Sequence, residues 1–342
     1  MLTVHLIESD AADALTLRLL GDLLAAGACD GAVRVIGPRW LARKVERAGL
    51  TIDRAINTSG SRFSDGRAMR AASRGFDCVH TWSLRGATLA AIACSRMPQR
   101  MTLTAAPQSA PGLMTRRLIH RAGVTGWCIG AGVLGVMIAA GFDSESLTPI
   151  APTVDPGHII CDARSMTRMR LGVSDHNMKL ALLVGDSPGA MDVLRAVLAA
   201  GLVDETGRSL RVAISPNYPG LRRAMRAVDA EQRGERVIIT HRADKPWQLV
   251  GACDLAIAVG GGLSTTWAMA AGLPIAAQQQ PSVIDLLQHE HNALLAPADS
   301  AGELARRIRR LIDEPDTAAD LGRAAAETAR TELHPSATRL AG

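Results

Sequence analysis

Short apolar runs alternate with stretches whose apolar residues recur every three or four positions along nearly the whole chain. In the first half the runs at 2–7 (LTVHLI), 32–36, 77–81 (DCVHT), 100–104 and 124–129 read as buried strands. Between them, 10–26, 39–48, 67–74, 84–95, 113–121 and 132–140 have helical spacing. Leu147–Pro156 then holds three prolines and no period, the pattern of an interdomain junction. The alternation restarts beyond it. Strands are expected at 179–184, 210–214, 236–239, 255–259, 274–277 and 293–296, with helices at 188–200, 221–231, 246–251, 283–288, 301–312 and 316–332. This pattern predicts an α/β protein of two Rossmann-like, doubly wound parallel-sheet domains facing a cleft. The expected domains are 1–152 and 153–315, with a C-terminal helix and tail over 316–342 placed to pack back toward the first.

At 342 residues, 47% apolar, the chain has enough core for two domains, and at 3% aromatic those cores must be aliphatic. Arginine outnumbers lysine 35 to 3, which reflects a GC-rich coding bias. Residues 1–152 carry 17 Lys+Arg against 11 Asp+Glu; residues 153–342 carry 21 against 22. The basic half suits an anionic membrane surface or acceptor, the plain alternative being a solvated surface. No dense basic run with interleaved aromatics occurs, so nucleic acid is not an expected partner. The six cysteines are scattered without C-x-x-C or metal-ligand spacing, and Cys78, Cys128 and Cys253, in or beside apolar runs, read as small buried hydrophobes of a reducing compartment. Neither a signal peptide nor a membrane span is predicted, so the expected location is cytoplasmic, with peripheral contact at the inner membrane face.

The richest stretch is Ala252–Ala277, ACDLAIAVGGGLSTTWAMAAGLPIAA. An apolar strand runs into Gly260, Gly261 and Gly262, then Leu263, Ser264 and Thr265 open a small-residue helix. Glycines let backbone approach a ligand, and free N–H groups with the helix dipole favour a phosphate. The alternative is a tight turn with Ser264 as cap. His80, at a predicted strand end, is a candidate base or acceptor ligand; a hydrogen-bonded structural histidine is the alternative. Trp267 either stacks on a base or sugar ring or fills space. Gln278, Gln279 and Gln280 could read sugar hydroxyls or form a polar loop. Asp285 and His289, four apart, read as a surface pair sooner than a metal site. Arg116, Arg117, His120 and Arg121 form a basic helix face beside Leu118 and Ile119 that could meet a lipid surface.

This glycine stretch with its AAGLP ending resembles the nucleotide-sugar segment of GT-B glycosyltransferases, of the family-4 and peptidoglycan-precursor kinds. FDCVHTWS (76–83), Leu134–Asp155, RMRLGVSDHNMKLALLVG (168–185) and HNALLAPADSAGELARRIRRLIDEP follow in the order that family shows. The resemblance covers most of 76–330. It implies a donor site for a nucleotide-diphosphate sugar, as co-substrate and without a cofactor or metal, at Gly185, Gly260–Thr265, Trp267 and Gln278. It implies a sugar, lipid or small-molecule acceptor on the first domain, with His80 near the reaction.

The departures are specific. The resemblance implies two glutamates where Val259 and Trp267 stand, and an indole cannot accept the hydroxyls a carboxylate would. The cations expected near the diphosphate are replaced by Asp186 and Pro188 in Gly185-Asp186-Ser187-Pro188-Gly189. A histidine expected after the 100–104 strand is replaced by Ala105, Ala106 and Pro107. Two readings follow: a glycosyltransferase moving a hexose to a hydroxyl, or a GT-B scaffold that binds without catalysis.

Overall fold

The computed structural model describes residues 2–8, 14–27, 29–59, 61–94, 100–105, 113–159, 164–173, 175, 177–186, 190–216, 218, 221–230, 236–241, 244 and 246–335. The chain divides into two compact units, one over Met1–Pro152 together with Pro335–Gly342, the other over Thr153–His334.

The first unit runs β1 (Thr3–Ile7), α1 (Ala14–Ala25), β2 (Ala32–Gly37), α2 (Arg39–Arg47), β3 (Arg54–Asn57), α3 (Arg62–Ala72), β4 (Cys78–Thr81), α4 (Leu84–Ala93), β5 (Arg100–Ala105), α5 (Leu113–Arg121), β6 (Thr125–Ile129), α6 (Ala131–Ala139) and β7 (Leu147–Ile150). Its strands form one parallel sheet in the order β3-β2-β1-β4-β5-β6-β7. Val4, Leu6, Val79, Met101 and Leu103 project from one sheet face into a core with Met69, Ala90, Ile119 and Met137 of the helices.

The second unit runs α7 (Arg164–Arg170), β8 (Lys179–Val184), α8 (Ala190–Glu205), β9 (Leu210–Ile214), α9 (Leu221–Ala230), β10 (Val237–Ile239), α10 (Pro246–Leu249), β11 (Leu255–Ala258), α11 (Leu263–Ala270), β12 (Ile275–Gln279), α12 (Pro281–Ile284), β13 (Leu294–Pro297), α13 (Ala301–Asp313) and α14 (Pro315–Glu332). Its sheet is also wholly parallel, ordered β10-β9-β8-β11-β12-β13. Leu183, Val212, Ile257 and Val259 pack on Val193, Val197, Leu304 and Ile308, an aliphatic core as the composition requires. At the start of the unit, the nearly buried Arg168 donates to Asp254 Oδ2 (2.9 Å) and to the Met178 carbonyl (2.6 Å), while Arg164 takes Asp254 Oδ1 (2.8 Å). The α7 helix is thereby bolted to the beginnings of β8 and β11.

Sequence and structure differ at the margins. The proline-rich 147–156 contains β7: it lies on the sheet edge, where Pro149 is tolerated in a strand. The opposite edge strand, β3, was not predicted, because Arg54-Ala55-Ile56-Asn57 is mostly exposed and has no apolar run. The helix expected at 67–74 starts at Arg62, since Ser61 accepts the Ser64 N–H as its cap. The helix expected at 283–288 is the short α12, and residues 288–293 form turns closed by Asn292, which accepts the Gln288 N–H. The helix α14 packs against α11 within the second unit.

Candidate active site

In an open parallel sheet, a ligand crevice opens at the C-terminal strand ends where the strand order reverses. Both sheets have such a point: between β1 and β4 in the first, and between β8 and β11 in the second. A carboxylate follows the first strand of each pair, Glu8 after β1 and Asp186 after β8.

At the β8–β11 point the glycine loop is built as the sequence suggests, but its donors already have an anion. Asp186 accepts the backbone N–H of Leu263 (2.5 Å) and of Ser264 (2.8 Å), and the Ser264 hydroxyl donates to the same carboxylate at 2.6 Å. Ser264 Oγ in turn accepts the Gly185 N–H, and the Asp186 N–H reaches the Gly261 carbonyl. The helix N-cap residue is Gly262, which has no side chain to offer, so Asp186 supplies the cap from the neighbouring strand. Burial, then the nearby Asp186 carboxylate, push the Tyr218 hydroxyl pKa up, so it stays protonated and donates to the Leu183 carbonyl.

The glycines serve this closeness. A Cβ on Gly261 would sit 1.8 Å from the Ser282 carbonyl oxygen, and one on Gly185 2.8 Å from the Gly260 nitrogen. Gly262 has φ +108° and presents its Cα directly beneath Asp186. Thr265 donates to the Gly260 carbonyl at 2.7 Å, and the Gly261 N–H donates to Ser282 Oγ at 3.1 Å.

Other sequence candidates fall elsewhere. Trp267 is fully buried and lies 5.3 Å, centre to centre, from Trp247, so it packs and offers no open ring face. Gln278 is fully buried, donates to the Asp192 carbonyl at 3.2 Å, and does not reach out to a sugar. Val259, where the resemblance implies a glutamate, is core. Pro188 and Gly189 lie outside the described residues, as do Ala106 and Pro107. His289 accepts the Leu295 N–H at 3.1 Å, which commits it to holding the strand β13.

His80 is corrected from an open strand-end base to an interior residue. Its ring nitrogens meet Thr102 Oγ1 (2.7 Å) and Thr104 Oγ1 (3.0 Å) on β5. Its ring lies 4.9 Å from Trp82 and 5.2 Å from His5. Burial first, then His5, hold its pKa well below the usual histidine range. Trp82 donates to His5 Nδ1, which fixes that histidine's proton on Nε2; burial lowers its pKa to about 4. Burial likewise raises the thiols of Cys128 to about 11 and Cys253 to about 12, so neither is a nucleophile at neutral pH.

The residues that sequence reasoning missed are at the β1–β4 point. Glu8 is fully buried; Ser83 donates its hydroxyl to Glu8 and accepts the Gly86 N–H as the α4 cap. Arg85 lies 3.9 Å from Glu8 and donates to Asp65 at 3.0 Å, and Thr58 donates to Asp65. Buried charge is costly unless paired, and these contacts supply the pairing. Its signal in the sequence was a glutamate directly after the first apolar run, where a doubly wound sheet reverses its order.

Two parallel doubly wound units of these topologies define the GT-B class, and solved structures agree. HepE from Anabaena, crystallised with UDP and glucose, superposes with a TM-score of 0.80 at 15% identity, covering 98% of this chain and 96% of that one. Sucrose-phosphate synthase from Thermosynechococcus elongatus gives 0.75 at 16% identity, with 99% and 97% covered. WaaG, a glycosyltransferase involved in lipopolysaccharide biosynthesis, gives 0.67 at 13%, with both chains fully covered.

Residues 174–328, within the second unit, match the family model described as glycosyl transferases group 1. No curated protein matches by sequence. The resemblance read from the sequence, to a divergent GT-B glycosyltransferase, is borne out, and with it the reading of the chain as a transferase.

Proposed function

We propose that the chain transfers a hexose from a nucleotide-diphosphate sugar to a hydroxyl of a sugar, lipid or small-molecule acceptor. The observation that carries this reading is the group 1 match over 174–328, centred on a strand, glycine loop and helix whose N–H groups bind a carboxylate. A loop that holds a carboxylate with two N–H groups and a hydroxyl has the donors to hold a phosphate. The donor diphosphate would take these groups in exchange for Asp186, and its negative charge on departure would be stabilised there. Glu8, Ser83 and Arg85 of the first unit are the acceptor-side candidates: Ser83 holds the Glu8 carboxylate at the strand end, and that carboxylate would accept a hydroxyl proton.

The test is a binding and turnover panel of nucleoside diphosphates and nucleotide sugars. A ligand at 100 times its dissociation constant stabilises the folded chain by about 2.7 kcal/mol. Sugar transfer or slow donor hydrolysis by the wild-type chain, lost in Glu8→Gln with donor binding retained, is the expected result. A stabilising shift without any turnover favours the second reading, a binding protein, for which the self-capped Asp186 loop is the supporting observation. No shift with any nucleotide, in the wild type or in Asp186→Asn, overturns both.

A further inference from the structure

The helix α6, AGVLGVMIA, has no polar side chain, yet it is only half covered. Met137 is buried, while Gly135, Val136, Ile138 and Ala139 are exposed, Val136 and Ile138 at 40% and 41%. A helix apolar all round normally lies inside a core or a membrane. Next to it, α5 turns one face outward: Leu113, Met114, Arg116, Arg117, His120 and Arg121, with Ile119 buried beneath. Leu113 and Met114 are 60% and 70% exposed. The two helices are contiguous, because the Arg116 guanidinium lies directly against Gly141, just past the end of α6. Neither helix carries a carboxylate; the first beyond them are Asp143 and Glu145, and Asp143 caps its own turn by accepting the Glu145 N–H.

We propose that the α5–α6 face docks the protein on an anionic lipid bilayer. Four large apolar side chains enter the interface, and Arg116, Arg117 and Arg121 meet lipid phosphates. Two features select this occupant. A purely polyanionic partner would leave Leu113, Met114, Val136 and Ile138 unexplained. A second copy of the chain, meeting this face with the same face, would oppose arginines to arginines with no carboxylate between them. Among the described residues no helix is long and apolar enough to cross a membrane, so attachment here is peripheral.

The test is flotation of the intact chain with sugar- and acceptor-free vesicles of phosphatidylcholine alone or with one-third phosphatidylglycerol. This readout is independent of transfer activity. Binding to the anionic vesicles, about tenfold weaker on neutral ones and weakened by salt, is expected. Arg117→Glu with Arg121→Glu, and separately Met114→Ser with Ile138→Ser, should each reduce binding about tenfold or more. All four positions are exposed, so unchanged melting curves will show that the variants fold. No binding to anionic vesicles, or binding that neither pair weakens, overturns the proposal. So does a dimer in sedimentation that Met114→Ser with Ile138→Ser dissociates.

Discussion

Asp186 decides more about this protein than any other side chain. It gives α11 the cap that Gly262 cannot, so Asp186→Ala should cost about 1 kcal/mol of stability, the usual value of an N-cap. Pyrophosphate should restore part of that loss in a thermal melt, and Asp186→Asn should bind nucleoside diphosphate more tightly than the wild type, because a neutral side chain no longer competes as an anion. A melt unaffected by pyrophosphate in Asp186→Ala would count against a phosphate seat in this loop. His5 and His80 give a second prediction. Their folded pKa values lie below the unfolded value of about 6.5, so below that pH the unfolded chain binds protons that the folded chain refuses. Stability should therefore be full above pH 6.5 and fall as the pH drops towards about 4, by at most about 1.4 kcal/mol per pH unit per histidine. Chemical denaturation across that range measures it, and His5→Gln should flatten the slope. At this scale the sequence was legible in part. The glycines and hydroxyls of 260–266 announced a loop that grips an anion, but not which anion. A carboxylate 77 positions away in sequence from Leu263 supplies it, and that proximity exists only once β8 and β11 pair.

The elements were easier to read than their edges. Buried parallel strands such as Lys179–Val184 and Leu255–Ala258 are continuous apolar runs, visible without any partner. The two edge strands of the first sheet, β3 and β7, lack that signature, because one side of each is open to solvent or holds a proline. Glycines within elements now sort by what surrounds them. Gly302, in the first turn of α13, has open space where a Cβ would go, so Gly302→Ala should stabilise the protein by up to about 1 kcal/mol. Gly261→Ala would drive a methyl group into the Ser282 carbonyl and should cost several times that figure or prevent folding. Differential scanning fluorimetry on the pair separates the two environments.

For the whole molecule, each unit has its own aliphatic core, and the second is closed on itself: the Val154 N–H donates to the Leu333 carbonyl, tying its first residues to the end of α14. A fragment spanning Thr153–His334 should therefore fold and keep whatever nucleotide affinity the intact chain has; circular dichroism and titration calorimetry on the fragment check this. The sequence foresaw two doubly wound units because their strand and helix periods are local. Glu8 and its Ser83 and Arg85 partners were not foreseen, since residues 75 positions apart meet only through the order of the strands. One packing detail shows what holds the AAGLP turn in this chain. A Cβ on Gly322 would come within 2.3 Å of the Gly272 carbonyl oxygen, so the helix α14 rests backbone to backbone on the turn that ends α11. The signature is thus held in place by a helical buttress, whatever happens at positions 259 and 267. In this chain the motif therefore reports a packing contact between two backbones, and it is the residues at the strand ends that bear on chemistry.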